Sequence, residues 1–105
     1  MATIRDTMEN KHTAKVKGVN FEKDELAERI GNLYYDSLAE LLQALSAKLQ
    51  KDSEADRKRG RVKLAGELAA SAKQVAAAAR HIENAWDICE PFVKKWRAEK
   101  KDISR

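Results

Sequence analysis

Two long stretches of this chain return their apolar residues every three or four positions, and little in them would interrupt a helix. The first carries Leu26, Ile30, Leu33, Tyr34, Leu38, Leu41, Leu42, Leu45 and Leu49, with the small Ser37 as a break. The second carries Leu64, Leu68, Ser71, Val75, Ala78, Ile82, Ala85, Cys89 and Phe92, spaced alternately four and three. Such steps bring side chains back to one face of an α-helix, whereas a strand alternates with period two. Beside the second stripe runs a row of alanine alone: Ala65, Ala69, Ala72, Ala76 and Ala79. Alanine is the best helix former. Four glycines, one proline and ten Ile plus Val in 105 residues are too few turn and β-branched residues for an all-β domain. No strand–helix alternation points to a parallel α/β sheet. The expected class is all-α.

Punctuation sets the expected boundaries. Residues 1–20 are polar and mixed in charge, and Ile4, Met8, Val16 and Val19 make no helical stripe, so a flexible polar tail is expected there. Asn20 is an N-cap candidate, with Glu22, Asp24 and Glu25 in the first turn, and Glu25 stands four residues before Arg29, the better order for a helical ion pair. This predicts a first helix over 21–51, within a single helical-hairpin domain over 21–105. Two turns compete within 51–60. Ser53-Glu-Ala-Asp56 resembles a capping box and would start the second helix at once. Gly60 could instead close a longer first helix. The first is preferred, since a glycine inside a helix costs only about 1 kcal/mol. The second helix then spans about 54–90. Pro91 ends or kinks it, because proline lacks an N–H and clashes one turn back. A short C-terminal helix with Phe92, Val93 and Trp96 is expected beyond it.

Helices joined by so short a turn lie antiparallel. A turn centred near Ala55 sets Leu45 against Ala65, Leu42 against Leu68, Leu38 against Ala72 and Tyr34 against Ala76. One hairpin leaves leucines over, and a second copy would cover them in a two-fold four-helix bundle; the alternative cover is the C-terminal helix folding back, with Phe92 and Trp96 as plugs. The residues expected in the core or the dimer contact are Leu33, Tyr34, Leu38, Leu41, Leu42, Leu45, Leu68, Val75, Ile82 and Trp86. In architecture alone the pattern resembles the small WXG-type helical hairpins, but the Trp-x-Gly that marks their turn is absent from 51–60.

The chemistry-bearing residues are sparse. Di-iron bundles need Glu-x-x-His pairs, and the residue three before His81 is Ala78. Cys89 sits among apolar residues between Trp86 and Phe92, unlike the electropositive setting of a reactive thiol. No phosphate-binding glycine loop, Gly-x-Ser-x-Gly or His-Glu-x-x-His occurs. No catalytic residue, metal ligand or cofactor is therefore expected. The most suggestive feature is the basic cluster Arg57, Lys58, Arg59, Arg61 and Lys63, followed by a second basic group over 94–105. Such patches attract phosphates in a salt-dependent way, although Asp52, Glu54 and Asp56 adjoin this one. No stretch approaches the roughly 20 apolar residues of a membrane span, and no signal-peptide core precedes the helices. One cysteine makes no internal disulfide, so a cytoplasmic setting is expected. These features together suggest a small non-enzymatic interaction or structural module acting through homodimerisation and a protein partner. A nucleic-acid-associated basic protein using the 57–63 cluster is the alternative.

Overall fold

The computed structural model describes residues 11–103, with side chains through Trp96. Residues 1–10 of the expected tail, Ile4 and Met8 among them, lie outside the described residues. Every regular element described is an α-helix: α1 (Lys23–Gly31), α2 (Tyr35–Lys58) and α3 (Val62–Ile103). The chain divides into two compact units, the first ending at Asn32 and the second beginning at Leu33.

In the first unit, a turn at Gly18 (φ +85°) leads toward α1, and the Val19 N–H donates to the Val16 carbonyl at 3.0 Å. The N-cap of α1 is Glu22, two residues beyond the expected Asn20. Asp24 and Glu25 occupy the first turn and Arg29 the last, the polarity that suits the helix dipole. The Glu25–Arg29 pair forms at 2.8 Å, and the Arg29 guanidinium lies 4.5 Å from the centroid of the Phe21 ring. The expected continuous helix over 21–51 is corrected here: it breaks at 32–34. Gly31-Asn32 supplies the stop, Asn32 capping α1 through its backbone N–H to the Glu28 carbonyl, 3.0 Å away.

The second unit is an antiparallel hairpin of α2 and α3. Its turn lies at 59–61 rather than near Ala55, so the competing Gly60 reading is the correct one. Gly60 has φ +83°. Its N–H donates to the Arg57 carbonyl (3.0 Å) and the Arg61 N–H to the Asp56 carbonyl (2.9 Å), which together make a Schellman cap. An ion pair, Asp56 to Arg61 at 3.0 Å, occupies the place where such caps usually hold an apolar contact. Ser53 caps nothing; it is buried inside α2.

Moving the turn shifts the register. Ala39, Ser46 and Ser53 form one row of α2 at seven-residue spacing, and Ala65, Ala72 and Ala79 form one row of α3. The Ser53 hydroxyl donates to the Ala65 carbonyl (2.6 Å) and the Ser46 hydroxyl to the Ala72 carbonyl (2.7 Å). Ala39, Ala65, Ala72, Ala79 and Ser53 are the fully buried residues described. Ala72 thus meets Ser46, not the expected Leu38. A seryl oxygen reaches a facing backbone carbonyl only where the axes approach toward the close limit of about 8 Å. At the open end the Tyr34 ring packs on Trp86, not opposite Ala76, with centroids 6.2 Å apart.

The second helix neither starts near 54 nor stops at Pro91, and no separate C-terminal helix follows. α3 is continuous from Val62 to Ile103 with Pro91 inside it. Proline leaves the Asp87 carbonyl without its helical donor, and both Pro91 and Asp87 lie on an exposed side of α3.

Candidate functional site

The small-residue rows divide the hairpin into two unlike sides. An α-helical heptad places positions three and six residues after the seam row on one flank, and those one and four residues after it on the other. On the second flank the residues are polar or small. Gln43, Gln50 and Lys73 rim an open groove floored by Ala69, Ala72 and Ala76, and Asp36, Glu40, Glu83 and Asp87 continue it toward Trp86. Gln43 donates to Glu83 across this groove.

The first flank is apolar. It holds Leu38, Leu42, Leu45 and Leu49 of α2, with Leu41 at its rim, and Leu64, Leu68, Val75 and Ile82 of α3. Leu41, Leu45 and Leu64 stay 41%, 45% and 37% exposed, and Leu38, Leu42, Leu49, Leu68, Val75 and Ile82 are only half-buried. At the turn end this leucine face is bounded by two neutralised pairs, Lys48–Asp52 and Asp56–Arg61. Seven of the ten residues expected in the core or dimer contact lie on it. Tyr34 and Trp86 instead close the open end of the seam, and Leu33 is exposed just before α2.

The basic cluster is split by the turn. Arg57 and Lys58 occupy the last turn of α2, where cations suit the dipole. Arg59 caps that helix, and Lys63 lies in the first turn of α3, which has no acidic residue. Arg61 is turned back onto Asp56, both largely shielded, whereas Arg57, Lys58, Arg59 and Lys63 are exposed. The Arg61 guanidinium therefore serves the turn.

Among the described residues no three of His, Cys, Asp and Glu come close enough to hold a metal ion. Cys89 is a half-buried free thiol. None of the described helices is long and apolar enough to cross a membrane. Sequence reasoning missed Ala39, Ser46 and Ser53, because leucine dominates that stretch and serine reads as polar. Their spacing of seven, matched to that of Ala65, Ala72 and Ala79, is the signal that could have found them. Comparison of the chain with protein-family models, curated proteins and solved structures finds no match.

Proposed function

We propose that this protein is a non-enzymatic helical interaction module that pairs with a second copy through its leucine face, giving a four-helix bundle able to engage a further protein. One observation carries the reading: the hairpin closes its own seam with alanine and serine and leaves its leucines half-buried or exposed. Soluble monomers rarely keep a contiguous apolar surface of this kind. Burying a leucine is worth about 1.5–3 kcal/mol, and alanine contributes far less. A face about 35 Å long and 17 Å wide offers roughly 600 Å² per copy. Two copies then bury roughly 1,200 Å², the lower limit of a standard interface. The face is uncharged at its centre, so it suits a surface of the same chemistry, and the chain itself supplies one. A cytoplasmic setting accords with its single cysteine.

Light scattering of the purified chain tests this. The expected mass is twice the 11.9 kDa of one chain. Leu41→Glu with Leu45→Glu, at positions the hairpin leaves exposed, should return the mass of one chain with helical circular dichroism retained. A wild-type mass of 11.9 kDa at micromolar concentration contradicts the proposal.

The exposed quartet Arg57, Lys58, Arg59 and Lys63 at the turn favours a second reading, contact with nucleic-acid phosphates. Gel-shift assays at low salt, where such contacts are strongest, should detect binding that fades as salt is raised. No shift under those conditions eliminates it.

A further inference from the structure

The leucine face does not stop where the hairpin stops. α2 begins at Tyr35, and Tyr34 packs on Trp86, so α3 continues past the last residue that α2 can reach. Counted in sevens, Cys89 prolongs the row of Leu68, Val75 and Ile82, and Phe92 prolongs the row of Leu64 and Ala78. Ile88 flanks them. Ile88 and Phe92 are 75% and 74% exposed, more than any other large apolar residue described. The extension from Asp87 to Ile103 is roughly 25 Å long.

We infer that the second copy sits with its turn at the same end as the first, so that the two α3 extensions pair with each other. The inference rests on the dimer reading above and adds its sense. Two arrangements place leucine face on leucine face. With turns at opposite ends, each extension runs out past the partner's turn and its apolar row meets nothing. With turns together, both extensions leave the bundle at one end and cover one another. That adds their area to an interface otherwise at the lower limit of the stable range.

The relief of the face agrees. Between Leu38 and Leu45, α2 presents the large Leu38, Leu41, Leu42 and Leu45, whereas α3 presents the smaller Val75 and Ala78 at the same height. A two-fold axis along the hairpin lays each α2 ridge over the partner's α3 trough, in the knobs-into-holes manner of helix bundles. In the opposite sense the Leu38–Leu45 stretch of one α2 meets the 48–55 stretch of the other, which offers one leucine, Leu49, beside the Lys48–Asp52 ion pair.

Cys89, the only cysteine of the chain, reports the sense. With turns together, the two Cys89 thiols face each other across the axis. With turns opposed and hairpins overlapped, they stand about 50 Å apart along the bundle. The experiment treats the wild-type protein with a homobifunctional maleimide, at a concentration where light scattering gives its mass. The expected result is a covalent dimer on a denaturing gel, with Phe92→Glu weakening self-association about ten-fold or more. A second probe, Arg59→Cys in a Cys89→Ala background, places the thiol on the exposed turn and should also cross-link. A dimer by scattering that cross-links at neither position overturns the sense proposed here and leaves the dimer standing. A monomer by scattering overturns both.

Discussion

At the scale of single residues, the hairpin is decided by what is small. The Ser53 hydroxyl is buried and donates to the Ala65 carbonyl, which as a helical carbonyl still has its own α3 donor to accept from. Ser53→Ala therefore orphans no backbone group and should cost only about 1 kcal/mol, the net value of one hydrogen bond. Ala72→Leu is the harsher change. Ala72 is 3% exposed opposite Ser46, so the added carbons must part the helices, at about 1–3 kcal/mol. Thermal melts of the two variants should rank them in that order; equal midpoints would argue against so tight a seam. The alanine half of this contact was legible in the sequence, as an unbroken row beside the second stripe. The serine half was not. Ser46 and Ser53 are interhelical because their hydroxyls find carbonyls at close range, and that depends on a register the sequence did not specify.

Elements are bounded here by a glycine and crossed by a proline. Inside a helix Gly60 costs little, which favours the earlier turn; what outweighs that small saving is a whole Schellman cap, with two backbone bonds and the Asp56–Arg61 pair all made at once. A Cβ added to Gly60 meets no atom within 4 Å, so Gly60→Ala tests conformation alone. It should destabilise by about 1–2 kcal/mol, the strain of a left-handed backbone for an L side chain, readable as a lower denaturant midpoint with unchanged slope. Pro91 acts in the opposite direction. α3 tolerates it on an exposed side, and Pro91→Ala should restore one helical hydrogen bond and gain up to about 3 kcal/mol of local helix stability. Hydrogen exchange of the amides flanking 91 should slow; unaltered exchange would mean that the helix loses nothing at the proline. The rule that proline ends helices is a statement about cost, and a long alanine-rich helix can carry that cost on an exposed side.

For the whole molecule, helical class and hairpin architecture followed from periodicity, and so did the surplus of leucine. Which leucines were surplus did not follow, since that depends on the position of the turn. Leu38 and Leu45 were expected against alanine and Leu42 against Leu68; the structure sets all three beside the seam, on the face that a second copy would cover. If pairing supplies much of the stability, the melting temperature should rise with protein concentration, as mass action requires when only the folded dimer is stabilised. The Leu41→Glu, Leu45→Glu variant should melt lower and independently of concentration. A wild-type midpoint that stays fixed over a hundred-fold range of concentration would place the stability within one chain.

The seam also determines what substitution over generations could do to such a chain. A core of large side chains tolerates exchange among Leu, Ile and Met, because their volumes are similar. At Ala39, Ser46, Ser53, Ala65, Ala72 and Ala79 there is no such reservoir: glycine weakens the helix, and anything above serine in volume forces the axes apart. Drift along this lineage would therefore spare its smallest residues and vary its leucines, the reverse of the signature by which buried cores are usually traced.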